Sequence, residues 1–300
     1  MWFRSEPFGW KQLNNLPEPS RMTMLPEKEN VLAKLFPSSK KPLIGTIHCL
    51  PFPGAPRYHG EKIEVIIAHA VSEAKAYEEG GLDGIIVENA WDLPFLRPED
   101  IWHETVATLS VVTKCVREAS RLPVGVNLLA NAGEAAIAVA KAAGGSFVRV
   151  NQFVNAYIAN EGFVQGNSGR ILRYRSTLHA QEIAVFADVH VKHGSHAIVA
   201  DRPVVEQARD AEFFDADVTI ATGNHTGDPT PIEEIENIRR GTFLPVIVGS
   251  GLSVENANEL LSKADGAIVG TSVKEGGVWW GKVSVSRVRA LVDAVRQLRS

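Results

Sequence analysis

Cysteine is scarce in this chain. Cys49 and Cys115 are the two present among 300 residues, and neither belongs to a CxxC pair. That excludes a disulfide framework and fits a reducing compartment. Long apolar runs are also missing: no stretch reaches the roughly 18 residues of a transmembrane helix. There is no basic excess either. Lys and Arg number 31 against 35 Asp and Glu, for a net charge of -4 with His neutral. Nucleic acid is therefore not an expected partner. Met1 to Pro7 lack the charged region and apolar core of a signal peptide, and early acidic residues argue against a transit peptide. A cytoplasmic protein is expected.

What is present describes an ordinary globule, with 45% hydrophobic and 22% charged residues. Its length allows one large domain or two ordinary ones. The 25 glycines are informative, because most separate short apolar runs. Residues 1–40 read as an arm rich in Pro, Asn and Ser, whose Trp2, Phe3, Phe8 and Trp10 should pack on the body or a partner. A short helix is expected from Glu27 to Phe36.

From residue 41 to 300 the pattern changes. Eight short apolar runs appear: Leu43–His48, Gly84–Glu88, Val124–Leu129, Ser146–Val150, Ile183–His190, Val218–Ala221, Pro245–Val248 and Gly266–Val269. Fully buried parallel strands read this way. Helical stretches lie between them: Glu61–Glu79, Pro98–Ser120, Gly133–Ala143, Pro203–Phe214, Pro231–Ile238, Ser253–Lys263 and Ser284–Leu298. The count predicts an α/β fold, a TIM (β/α)8 barrel with an N-terminal extension. A doubly wound sheet is the competing fold, but no GxGxxG follows the first strand. Residues Asn151 to Arg170 form a long excursion after strand four, read as a lid or hairpin.

Barrel chemistry sits at the C-terminal ends of the strands. The candidate catalytic groups there are His48, Glu88, Asp188, His190 and Lys192. Asp188 or Glu88 would take a proton, and His48, His190 or Lys192 would return one. Strand alternation places Asp188, His190 and Lys192 on one face if the strand persists that far. Lys192 also suits anion binding or a Schiff base. Substitution of Asp188 or Lys192 should abolish turnover and spare folding. Asn89, Asn127, Arg149, Asn151, Thr222, Asn224 and Asp228 are candidate substrate contacts. The structural alternative is a satisfied polar network around the barrel mouth. No cofactor is assigned. A divalent metal on Glu88, Asp188 and His190, with His48 nearby, stays open, although the spacing is dispersed and no HExxH exists.

The last two strand–helix junctions carry the sharpest local signal. Gly249, Ser250 and Gly251 follow strand seven; Gly270, Thr271 and Ser272 follow strand eight. Small residues let backbone N–H groups approach an anion, and phosphate commonly binds between these two loops. Two tight turns are the alternative. The proline-rich loop Cys49 to Tyr58 could place Arg57 near a substrate, with a subunit contact favoured. Trp279-Trp280 would cover the mouth or pack on a partner. A homo-oligomer is expected.

Ile44-Gly45-Thr46-Ile47-His48 with Leu50-Pro51-Phe52-Pro53-Gly54-Ala55-Pro56-Arg57-Tyr58 resembles the opening motif of the BtpA/SgcQ family. So do Gly81-Leu82-Asp83-Gly84-Ile85-Ile86-Val87-Glu88-Asn89 and Asp265-Gly266-Ala267-Ile268-Val269-Gly270-Thr271, and the likeness spans roughly residues 40–298. The resemblance implies a phosphate-binding barrel related to tryptophan-biosynthesis isomerases and synthase α subunits. The family's namesake is linked to photosystem I biogenesis as a peripheral thylakoid protein. Two functions follow. One is an isomerase or lyase of carbohydrate or other small-metabolite metabolism, acting on a small phosphorylated, sugar-like metabolite. A hydrolase or nucleosidase using the same carboxylates stays open. The other is a non-enzymatic assembly factor, peripheral to membranes in photosynthetic relatives, using the arm, the proline-rich loop and the tryptophans as its partner surface.

Overall fold

A computed structural model describes residues 28–223 and 227–299. Trp2, Phe3, Phe8 and Trp10 of the arm, and Asn224 and His225 of the sixth loop, lie outside the described residues. The eight barrel strands are β1 Leu43–His48, β2 Gly84–Glu88, β3 Val124–Asn127, β4 Phe147–Val150, β5 Ala184–Val189, β6 Val218–Ala221, β7 Val246–Val248 and β8 Gly266–Val269. They close into one parallel barrel in which β1 pairs with both β2 and β8. This is the (β/α)8 barrel, and closure excludes the doubly wound sheet.

Period-two alternation explains why each run is apolar throughout. Ile47, Val87, Val126, Val150, Val185 and Val248 face outward and join one large core with the helices. Ile44, Ile86, Phe147, Phe186, Ile220 and Ile268 face inward and form a second core inside the barrel. Stacked Phe147 and Phe186 rings, 4.5 Å apart, fill its centre.

The helices are α1 Val31–Leu35, α2 Ile63–Gly80, α3 His103–Ala119, α4 Gly133–Ala143, α5 Ser168–Thr177, α6 Val204–Phe213, α7 Ile232–Gly241, α8 Ala257–Lys263 and α9 Val285–Ala294. The short α1 begins at Asn30, whose side chain accepts from the Ala33 amide at 3.1 Å. Its Leu32 and the following Phe36 join the inner core. Phe36 meets Phe147 edge to face, so the N-terminal end of the barrel is plugged by apolar side chains.

The excursion after β4 is an antiparallel hairpin, Ala156–Ala159 against Gly162–Gln165, as its glycines and asparagines suggested. The helix α5 that follows it was not predicted. Its sequence SGRILRYRST buries only Ser168 and Ile171, too narrow an apolar stripe to read as amphipathic.

Candidate functional site

Inside the C-terminal mouth is a cavity of about 690 Å³. Its floor follows from register. His48, Glu88, Asn127 and Arg149 are Cα partners at one level across four adjacent strands. All four face inward and line the cavity. Lys192, Asn151 and the loops Gly249–Ser253 and Gly270–Ser272 complete its polar lining.

His48 and Glu88 meet directly, with Nε2 to Oε1 at 3.0 Å. The other ring nitrogen, Nδ1, lies 2.6 Å from the Trp279 carbonyl oxygen. A carbonyl only accepts, so Nδ1 carries hydrogen. A single proton then lies between Nε2 and the Glu88 carboxyl. Burial raises the Glu88 pKa, but the hydrogen bond and charge of His48, with Arg149 and Lys192, outweigh it and hold Glu88 below its ordinary value. Glu88 is thus a carboxylate hydrogen-bonded to the His48 ring.

Asp188 serves Arg149. Nε and Nη2 of Arg149 donate to the two Asp188 oxygens, both at 2.9 Å, and Asn151 Nδ2 adds a third bond at 3.3 Å. The Asp188 side chain is fully buried and does not line the cavity. The fork fixes the guanidinium while Arg149 still borders the cavity. In the sequence Asp188 reads as a proton acceptor; the structure pairs it with Arg149 and keeps it out of the cavity.

Lys192 is half-buried beside these charges. Burial, then Arg149, push its amine down to about 8, against the opposing pull of Asp188, Glu88 and Asp228. An amine there holds an anion or donates a proton near neutral pH. Its depressed value carries a stability cost. The cost is complete below pH 8, where the folded ammonium is charged, and fades as pH rises toward the unfolded value of 10.5. Lys192→Met should therefore stabilise the protein at pH 7 by about 1–3 kcal/mol, with the gain shrinking above pH 8. Denaturant titrations at pH 7 and pH 10 check this; a destabilised variant at pH 7 would contradict it.

Other predicted residues act at one remove. Asn89 ties loops together, bonding Asp92 and both the carbonyl and amide of Leu129. The Thr222 hydroxyl accepts from the Lys192 amide at 3.1 Å. Asp228 is exposed and reaches Lys192 by charge alone. Asn224 lies outside the described residues. His190 is turned away. β5 ends at Val189 and His190 takes φ 57°, so strand alternation no longer applies. Its ring lies 4.0 Å from His196, and burial and that neighbour push it down to about 4. It is neutral at pH 7 and is not among the residues that line the cavity. The metal alternative does not converge: among the described residues no three His, Cys, Asp or Glu side chains are placed to share an ion.

The two glycine loops pack tightly on their neighbours. Gly251 has φ 68°, and a Cβ there would come within 2.0 Å of the Asp228 carbonyl oxygen. A Cβ on Gly270 would meet Thr46 Oγ1 at 2.6 Å. Glycine is thus required by backbone shape and close approach. Thr271 opens a single helical turn directly after β8, so the leading amides of that turn have no intrahelical acceptor.

Sequence reasoning expected a lid from the hairpin and cover from Trp279, but it named none of the hairpin residues that border the cavity and missed one wall. Tyr157, Ala159, Asn160 and Glu161 of the hairpin border the cavity, as do Leu93–Phe95 and Leu129. Trp279 covers the mouth, packs on Trp91 at a tilt of 48° with centroids 4.7 Å apart, and lies edge-on to His48. Arg57 sits over Trp91, 5.8 Å from its ring centroid. The loop carrying Trp279 is held by buried Lys274, whose Nζ is 3.3 Å from Glu73 on α2. Val283 donates to the same carboxylate. The tryptophan pair among glycines was visible in sequence; its carbonyl contact to His48 was not.

A family model described as the BtpA family matches residues 39–297. An uncharacterized protein of Pyrococcus furiosus is 40% identical over 254 residues, covering 85% of this chain and 94% of its own. The photosystem I biogenesis protein BtpA of Synechocystis is 33% identical, covering 85% and 88%. Among solved structures, a Mycobacterium tuberculosis tryptophan synthase superposes with TM-score 0.59 at 16% identity, covering 90% of this chain and 99% of that one. Thiamine phosphate pyrophosphorylase of Pyrococcus furiosus gives 0.54 at 17%, covering 86% and 96%. These structural likenesses establish the fold alone. No helix among the described residues is long and apolar enough to cross a membrane.

Proposed function

The chain belongs to the BtpA family, and from its site we propose that it is an enzyme of small-metabolite metabolism, an isomerase or lyase acting on a phosphorylated, sugar-like substrate. One observation carries this reading. A paired carboxylate and imidazole, an anchored guanidinium and a low-pKa amine face one cavity bounded by two glycine loops. Packing does not require four ionisable side chains around one space; acid–base chemistry on an anionic substrate does.

The phosphate would rest between Gly249–Gly251 and Gly270–Ser272 and receive the leading amides of the turn that Thr271 opens, since the Gly249 amide already donates to the Ala221 carbonyl. Its binding energy would hold the sugar over the charged floor. Glu88 is the base. His48, fixed by the Trp279 carbonyl, steadies the carboxylate and takes up part of the charge change. Lys192 is the acid, and Arg149 neutralises developing negative charge on an oxygen.

The reading predicts that phosphosugars raise the thermal midpoint while the same sugars without phosphate do not, since a ligand held only by the native state stabilises it. Thr271→Asp puts a carboxylate at the anion site and should weaken such binding at least tenfold. Equal shifts with free sugars, or unchanged binding by the variant, would overturn the phosphate assignment. The biogenesis role printed for the Synechocystis relative is a second reading, favoured by exposed Trp102 and Trp280. It needs no charged floor, so a Glu88→Gln chain would retain it.

A further inference from the structure

We infer that the substrate is a phosphosugar bearing a planar, nitrogen-containing ring of nucleobase type, seated on an apolar wall of the cavity opposite the glycine loops. This rests on the phosphosugar reading above and specifies what the sugar carries.

The wall comes from the loops after β2 and β3. Leu93, Pro94, Phe95, Leu129 and Ala130 line the cavity there. Leu93, Phe95 and Leu129 belong to none of the hydrophobic clusters found among the described residues. They are half-buried, so they face the cavity without being absorbed into the core. Apolar side chains left uncovered in a cavity gain by contact with an apolar ligand surface.

Topology places this wall away from the anion end. In the barrel order β1-β8-β7-β6-β5-β4-β3-β2, β3 lies directly across from β7 and three strands from β8, and β2 stands three strands from β7 and two from β8. Eight tilted strands make a ring roughly 15 Å across between backbones. From phosphorus to the anomeric carbon a pentose phosphate spans roughly 7 Å. A phosphate on the glycine loops would therefore set the sugar over the charged floor and direct its anomeric substituent toward the wall.

The wall favours a flat ring over an alkyl chain. Trp279 meets Trp91 of the β2 loop at a tilt of 48°, and its indole lines the same cavity as Phe95 and Pro94. Flat faces gain most from a flat partner. A nitrogen-bearing group also answers an unmet need. Asn127 is 1% exposed and lines the cavity. Its Nδ2 donates to the Arg149 carbonyl and to Asn151 Oδ1, both at 3.1 Å, while its Oδ1 has no hydrogen-bond partner. A buried acceptor without a donor is costly, and a ligand N–H or O–H that reached it would satisfy it.

Calorimetric titration of the full chain tests this with ribose 5-phosphate, the 5′-monophosphates of adenosine, guanosine, cytidine and uridine, and the four free nucleosides. At least one nucleotide should bind tenfold or more tighter than ribose 5-phosphate. Phe95→Ser and Leu129→Ser, made separately, should each remove that gain, with ribose 5-phosphate binding reporting that the anion end is folded. No gain for any nucleotide, or a gain that survives both substitutions, overturns the inference. Nucleosides binding as tightly as nucleotides, with the gain lost in both variants, would keep the ring site and refute the phosphate reading. Failure of every probe to bind overturns both.

Discussion

Asp188→Ala is expected to destabilise the protein by about 3–5 kcal/mol, because it leaves the Arg149 guanidinium buried and unpaired. Both nitrogens that now donate at 2.9 Å would lose their acceptors. Asn151 would lose its bond to the same carboxylate. In a chain of this size the thermal midpoint should fall by roughly 5–15 °C. A paired change, Asp188→Leu with Arg149→Met, removes both charges and should recover most of the loss. Denaturant unfolding of the three variants measures this. A single Asp188→Ala variant of native stability would show that the fork does not hold the guanidinium. The sequence-based expectation was that this substitution spares folding; the bidentate pair reverses it.

Glu88→Gln should lower turnover by about 10²- to 10⁴-fold, the range a positioned general base contributes. The amide keeps the shape of the carboxylate but cannot take a proton. It also leaves His48 Nε2 without an anionic partner at 3.0 Å. Substrate affinity should change far less, because the anion loops and Arg149 are untouched. A rise in KM with kcat unchanged would instead make Glu88 a binding group.

The barrel was legible because its strands are buried on both faces. Val218–Ala221 and Gly266–Val269 sit where their apolar runs put them, and Gly133–Ala143 begins and ends at the expected residues. The inward row of His48, Glu88, Asn127 and Arg149 was legible for the same reason: each ends or nearly ends an apolar run, and alternation turns it inward. Where the strand stops, that logic stops. His190 lies one residue past β5 in a left-handed conformation, and no periodicity announces it. Asp188 does face inward, but nothing local distinguishes a free base from one clamped by a neighbouring strand's arginine. The partner of His48 is a main-chain carbonyl about 230 residues away, invisible to any reading of side-chain types. The apolar wall was missed because Leu93 and Phe95 stand in a loop, where a hydrophobic residue carries no pattern, and because Leu129, read as the end of the third apolar run, lies two residues past β3.

The most direct test of the account is deuterium exchange. Each phosphosugar or nucleotide that stabilises the protein is incubated with it in D₂O and followed by proton NMR. An acid–base isomerase or lyase exchanges a substrate C–H proton with solvent. The account predicts such exchange for at least one bound phosphorylated compound, slowed 10²-fold or more by Glu88→Gln. Exchange that is absent from every bound compound, or equally fast in the variant, would contradict it.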